Sequence, residues 1–161
     1  YIEKSNKVVN LRFFSVFGPR NRPDMAHFLM TKAIFEGQPI KKFGDGKTSR
    51  DYTYIDDVID GIVACLNKPF KFEIINLGNH QTITLNEMIA TLEKIIGKKA
   101  VINQLPMQPG DVEQTWADTT KAKRLLNWEP QTPYEQGVEK LINWYKQTYV
   151  KWIDFHRLAD L

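Results

Sequence analysis

Short runs of β-branched and aromatic residues alternate along this chain with longer stretches whose apolar residues return every three or four positions. That alternation leaves few folds open. Val8 to Phe14 reads as a strand, and so do Pro39 to Phe43, Arg50 to Tyr54, Phe72 to Leu77 and Ala100 to Leu105. Between them, residues 24–36 read as a helix with Phe28, Leu29, Ala33 and Ile34 on its apolar side and Gly37 as its stop. Residues 56–66 follow the same spacing through Val58, Ile59, Ile62, Val63 and Leu66. Residues 85–96 are opened by a capping box of Thr84 and Glu87 and closed by Gly97. Asp118 is placed to cap a short helix carrying Ala122, Leu125 and Leu126. Thr132-Pro133-Tyr134-Glu135 combines an N-cap, a proline at N1 and a glutamate at N3, and starts a last helix. Strands that alternate with helices in this way specify an α/β fold. The nearly continuous apolar run at Val8–Phe14 predicts a strand buried on both faces, as in a parallel sheet.

Bulk properties narrow the function. A length of 161 residues predicts one domain with a substantial core. The net charge of +3 is mild and evenly spread, with no basic run, so a nucleic-acid partner is not expected. No apolar run approaches the ~18 residues of a membrane span, so no membrane partner is expected either. Cys65 is the single cysteine, reads as a core thiol, and fits a reducing, cytoplasmic setting. His27, His80 and His156 are scattered without ligand spacing, and no metal site is predicted. The chain begins with Tyr1 rather than methionine, and is expected to be part of a longer one.

The richest stretch runs from Gly44 to Asp57. Gly44-Asp45-Gly46 reads as a tight turn, because glycine reaches positive φ without steric cost. Arg50 and Tyr52 follow on a strand. A guanidinium offers a fixed fork of donors to phosphate, and tyrosine offers a stacking face or a hydroxyl. A surface arginine in a hairpin turn fits the local pattern equally well. Ser15-Val16-Phe17-Gly18-Pro19 reads as the turn at a strand's carboxyl end, where α/β sheets hold ligands or simply cap a buried strand. Arg20 and Arg22 precede a helix and could meet an anion there or remain solvated. Residues 106–111 form a loop in which Asp111 could accept from a ligand hydroxyl or close an Asx turn. The tail from 150, with Trp152, Ile153, Phe155 and Leu158, reads as a continuing helix, a partner contact or a packing flap.

Taken in order, several segments resemble the C-terminal half of extended short-chain dehydrogenase/reductases, and among them the nucleotide-sugar 4-epimerases. They are Leu11-Arg12-Phe13-Phe14-Ser15-Val16-Phe17-Gly18-Pro19-Arg20, Arg22-Pro23-Asp24-Met25-Ala26, Gly44-Asp45-Gly46 with Arg50-Asp51-Tyr52-Thr53-Tyr54-Ile55-Asp56-Asp57, Asn76-Leu77-Gly78 and Pro109-Gly110-Asp111-Val112. Asp118, Lys121 to Leu126 and Pro130 complete the resemblance, which covers about residues 7–148. The Arg22-Pro23-Asp24-Met25 element is most similar to UDP-glucuronate 4-epimerases. Two family features are not in this sequence: the Gly-rich turn that holds the NAD pyrophosphate, and the Tyr-x-x-x-Lys pair, which none of the six tyrosines forms.

The resemblance implies the last strands of a Rossmann-type parallel sheet plus a small α/β substrate-binding domain, with the N-terminal NAD-binding portion outside residues 1–161. It implies an NAD-dependent enzyme that oxidises the sugar C4 hydroxyl to a transient ketone and reduces it on the other face, or else a dehydratase or decarboxylase on the same scaffold, or, for these residues alone, a nucleotide-sugar-binding module without chemistry. It assigns no catalytic residue to this chain. Phe14 and Val16 would touch the cofactor. Ser15 would face the sugar or its phosphates, Arg22 a uronate carboxylate, Phe43 the uracil, Arg50 the diphosphate, Tyr52 the nucleotide and Asp111 the ribose. Many related epimerases carry Thr or Asn at Ser15, and some carry Arg at Gln108. The partner implied is a UDP-sugar, and the full-length enzyme would be a homodimer.

Overall fold

A computed structural model describes residues 8–150. In chain order the elements are β1 (Val8–Phe13), β2 (Ser15–Phe17), α1 (Ala26–Glu36), β3 (Pro39–Phe43), β4 (Ser49–Tyr54), α2 (Ile55–Leu66), β5 (Phe72–Leu77), β6 (Thr82–Thr84), α3 (Leu85–Ile96), β7 (Val101–Leu105), β8 (Gln114–Thr115), α4 (Thr120–Leu126) and α5 (Tyr134–Trp144). A π-helical turn, Tyr145–Val150, follows. The chain divides into two compact units. The first comprises residues 8–16, 49–83 and 112–132, and the second residues 17–48, 84–111 and 133–150.

In the first unit β1 pairs in parallel with β5, Val8 opposite Phe72 and Phe13 opposite Leu77. Helices α2 and α4 pack together on this pair. Cys65, Ile75, Leu77, Ala122, Leu126 and Trp128 form the core, with Val9 and Leu11 against it. Burial also pushes the Cys65 thiol up, away from reactive thiolate character. Asn10, Arg12, Phe72 and Ile74 are exposed. Among the described residues this sheet is therefore covered on one face, where the Val8–Phe14 run predicts burial on both. A second sheet has the order β2-β4-β6, with β8 parallel to β4. Ser15–Phe17, predicted as a turn, is thus a strand. The chain leaves one sheet and enters another at Phe14, whose N–H still donates to the Leu77 carbonyl at 3.3 Å. Ser15 marks the end of the first apolar run, but Val16 and Phe17 are strand formers and carry the chain on into the second sheet.

In the second unit β3 and β7 pair in parallel, and α1 packs on β3 and α3, with α3 on α5. Helix α1 begins at Ala26, later than predicted, because the Asp24 carboxylate is engaged by Arg22 rather than by helical N–H groups. It ends at Gly37 in the left-handed region, φ 69°. The capping box of α3 is present: Thr84 Oγ1 accepts from Glu87 N at 3.1 Å, and Glu87 Oε2 accepts from Thr84 N at 2.7 Å. Asp118 accepts from Thr120 N at 2.9 Å at the start of α4. Helix α5 starts without the predicted Thr132 cap. The N–H and hydroxyl of Thr132 both bond to the Asp57 carboxylate instead, and Glu135 pairs with Lys94 at 2.5 Å. Tyr145 is buried, stacked on Phe35 with centroids 5.2 Å apart. Trp152, Ile153, Phe155 and Leu158 lie outside the described residues, as does Tyr1-Ile2-Glu3-Lys4.

Candidate functional site

Strand β4 sorts its side chains by parity. Successive strand residues face opposite sides. Ser49, Asp51 and Thr53 are buried, while Arg50 and Tyr52 are partly exposed on the other face. The arginine and the tyrosine singled out in the sequence therefore stand side by side. Arg50 Nη1 donates to the Ser49 carbonyl at 2.9 Å, and approaches the Glu113 carbonyl at 3.4 Å. Burial raises the Tyr52 hydroxyl to about 12, with the Arg50 charge pulling it partly back. Tyr52 is a neutral phenol at physiological pH and can donate to an anionic oxygen. Ser15 and Val16 lie on β2, the strand hydrogen-bonded to β4, and Phe14 immediately precedes it. All three are partly buried.

What aims Arg50 and Tyr52 is the residue between them. Asp51 is fully buried and accepts four hydrogen bonds. Its Oδ1 receives Asn79 N at 2.7 Å and Thr53 Oγ1 at 3.1 Å; its Oδ2 receives His80 N and Ala117 N, both at 3.1 Å. The carboxylate thereby ties β4 to the turn after β5 and to the segment before α4. Gly78 is part of the same knot: a Cβ there would stand 2.2 Å from Ala117 Cβ and 3.0 Å from Asp51 Oδ2, so no side chain fits. Asp57 does similar work at the start of α2. Its carboxylate accepts from Gln131 N, Thr132 N and Thr132 Oγ1, and its carbonyl accepts from Trp128 Nε1 at 2.9 Å. The sequence reading missed these roles. The usable signal was two aspartates inside a strand and its following helix, where an unpaired buried carboxylate is too costly to persist.

The second unit holds a cavity of about 540 Å³, within the size range of small-molecule sites. Leu29 of α1 and Ile40 and Phe43 of β3 give it apolar walls, and Asp24, Lys41 and Asp111 are its charged groups. Phe43 and Asp111, assigned separately in the sequence, thus line one cavity. Phe43 is placed by the turn after it. Gly44 and Gly46 have φ of 62° and 80°. Asn86 at the start of α3 clamps that turn, its N–H on the Gly46 carbonyl at 3.0 Å and its amide on the Asp45 carbonyl at 3.1 Å. The Gln104 amide donates to the Lys42 carbonyl at 3.1 Å and also to that of Gly44. Arg22 meets Asp24 through a two-pronged ion pair: Nε to Oδ1 at 3.0 Å and Nη2 to Oδ2 at 2.5 Å. His27, also in this unit, is buried on Phe17 with its Nε2 2.9 Å from the Tyr134 hydroxyl. Burial pushes it down to about 3, so it is a neutral packing element.

For a nicotinamide cofactor this chain offers an apolar contact. Phe14 and Val16 are apolar and partly exposed beyond the carboxyl end of β1. The residues fit that edge of NAD, while the sequence holds no glycine-rich pyrophosphate turn. Among the described residues no cluster of His, Cys, Asp or Glu could hold a metal ion, and no helix is long and apolar enough to cross a membrane.

Comparison with known proteins follows the same lines. Residues 2–141 match the family described as GDP-mannose 4,6 dehydratase. The chain is 50% identical over 138 residues to a UDP-glucuronate 4-epimerase of Thermodesulfobacterium geofontis, covering 85% of this chain and 42% of that protein. It is similar to the crystal structure of UDP-glucuronic acid 4-epimerase from Bacillus cereus in complex with UDP-glucuronic acid and NAD. That match has a TM-score of 0.82 at 44% identity and covers 88% of this chain and 46% of the other. A UDP-glucose 4-epimerase of Thermotoga maritima with UDP-glucose matches with a TM-score of 0.79 at 32% identity, over 88% of this chain and 46% of the other. The chain thus spans less than half the length of these relatives.

Proposed function

The chain belongs to the GDP-mannose 4,6 dehydratase family, and from that premise we propose that it is the substrate-binding part of an NAD-dependent nucleotide-sugar 4-epimerase acting on UDP-glucuronate and UDP-galacturonate. The NAD-binding Rossmann portion, with its glycine-rich turn and Tyr-x-x-x-Lys pair, lies N-terminal to these residues in this reading. The full-length protein is then a cytoplasmic homodimer, a setting with which the free, buried Cys65 is consistent.

The observation that carries the reading is the cavity that joins an aromatic wall, Phe43, to a carboxylate, Asp111. Phe43 covers the uracil ring, and Asp111 accepts from the ribose hydroxyls, as an acceptor-only group can. Arg50 supplies a charged fork to the diphosphate, and the neutral Tyr52 phenol beside it donates to the nucleotide. Ser15 faces the sugar or its phosphates. Phe14 and Val16 hold the nicotinamide edge of NAD, which supplies the hydride acceptor and donor for sugar C4. Arg22 meets the uronate carboxylate. That finer assignment is supported by the identity to a UDP-glucuronate 4-epimerase.

Calorimetric titration of the chain with UDP, UDP-glucuronate and NAD tests the proposal. Binding of UDP and UDP-glucuronate is expected, with no 4-epimer formed by this chain alone on addition of NAD. Failure of the full-length protein to bind any UDP-sugar refutes the substrate reading. Turnover by these 161 residues alone refutes the division of labour.

A further inference from the structure

We propose that Asp24 sets the choice between charged and neutral sugars, by competing with the substrate carboxylate for the guanidinium of Arg22. The inference rests on the reading of Arg22 as the uronate partner and adds to it a residue with no assigned role. Arg22 presents two edges to solvent, and Asp24 occupies one of them with both carboxylate oxygens, Nε to Oδ1 at 3.0 Å and Nη2 to Oδ2 at 2.5 Å. Pro23 between them restrains the backbone. Asp24 also lines the cavity that contains Phe43 and Asp111, so its charge stands at the ligand's own site.

A uronate brings the same functional group that Asp24 already presents. It must either displace Asp24 from Arg22 or take the second guanidinium edge beside it. In both cases the Asp24 charge opposes binding, because like charges close together raise each other's cost. A neutral sugar meets no such opposition, and its hydroxyls can donate to Asp24. The pair is open to water, its side chains 73% and 64% exposed. Such pairs are weak, which makes this one displaceable rather than a permanent lock. The Asp24 carboxylate is held below the usual range by its hydrogen bond from Arg22, so the competitor is ionised throughout the neutral range.

The test is a binding comparison in the full-length protein, using UDP-glucuronate, UDP-glucose and UDP as ligands. Asp24→Asn should tighten UDP-glucuronate by about two- to fivefold relative to UDP-glucose, the scale of an exposed ion pair. Asp24→Glu, which restores the charge, should keep the wild-type ratio. In an Arg22→Leu background Asp24→Asn should no longer change the ratio, since the two residues act as one coupled pair. High salt should shrink the effect. Equal tightening of all three ligands, or weaker UDP-glucuronate binding, would overturn the proposal. A wild-type protein that binds none of the ligands removes the functional reading and Asp24's role with it. Binding with a ratio unmoved by Asp24→Asn removes Asp24 alone.

Discussion

Replacing Asp51 should unfold this protein far more readily than replacing either of its neighbours. The carboxylate takes two donors on each oxygen: Asn79 N and Thr53 Oγ1 on Oδ1, His80 N and Ala117 N on Oδ2. Hydrogen bonds to a charged acceptor contribute about 1.5–3 kcal/mol each. Their sum overstates the loss, since the folded protein also bears the cost of keeping a charge out of water. Two of the stranded donors, the N–H groups of Asn79 and His80, are only partly buried and can take up water. Ala117 N and Thr53 Oγ1 are buried and have no such recourse. Asp51→Ala should therefore cost about 3–5 kcal/mol, since each of the two stranded buried donors costs about 1–3 kcal/mol and the bonds lost at the other two add to that.

Asp51→Asn separates charge from geometry. One oxygen survives and keeps two of the donors, while the new NH2 faces the other two, so a loss of about 2–3 kcal/mol is expected. Urea denaturation followed by far-ultraviolet circular dichroism measures both, with unchanged slopes as the control for a comparable unfolded state. At about 2–4 °C per kcal/mol for a chain of this size, the alanine variant should melt roughly 10 °C lower. A loss under about 1 kcal/mol for Asp51→Ala would show that the knot is replaceable by water, and the account of what aims Arg50 and Tyr52 would fall.

His27 predicts an acid limb. Its folded value near 3 lies below the ordinary 6.5, so the unfolded chain binds more protons between those values, and stability rises with pH across that window. The contribution is complete above about 6.5 and lost as pH falls, by about 2 kcal/mol at pH 5; His27→Gln should flatten the stability profile between pH 4 and 7, and an unchanged limb would assign it to other groups. Arg50→Ala in the full-length protein should weaken UDP-sugar binding by about 1.5–3 kcal/mol without a comparable loss of stability. An unchanged dissociation constant in calorimetry would leave Arg50 as a structural residue of β4, bonded to the Ser49 and Glu113 carbonyls.

Much of the fold was legible because its signals are local. The Thr84–Glu87 capping box, the Gly37 stop and the positive-φ turn at Gly44 and Gly46 need only neighbouring residues. Two misreadings arose where a side-chain partner, distant or near, decided the outcome. Thr132 has the chemistry of an N-cap, but Asp57, far away in sequence, takes both its donors. Asp24 looked like part of a helix start until Arg22 engaged it. At Phe14 the end of the first strand was legible from Ser15, but not that the chain goes on as a strand of a second sheet. For the candidate site, Phe43 and Asp111 could be named from motif resemblance, but their sharing one cavity required the pairing of β3 with β7.

The aspartates of the Arg50–Asp57 stretch illustrate why residue type alone misleads about chemistry. A carboxylate in a motif invites assignment as a general base or a ligand acceptor. Here the side-chain acceptors of Asp51 and Asp57 are already engaged by N–H and hydroxyl groups of the protein. A buried carboxylate engaged in this way fastens the chain around it, and its removal is felt as unfolding. Asp24 and Asp111 differ in kind. They stand at a cavity, where a change in charge is read by whatever enters. Parity on β4 enforces the division: the inward residues fasten the strand, and that fastening lets Arg50 and Tyr52, one position away on either side, project together on the opposite face. Variants along this one stretch should then fall into two groups, those that lower the melting temperature and those that lower ligand affinity. From Ser49 to Thr53 the group a variant joins should follow the face of β4 on which its side chain lies rather than its charge, while Tyr54, buried at the end of the strand, should join the first group.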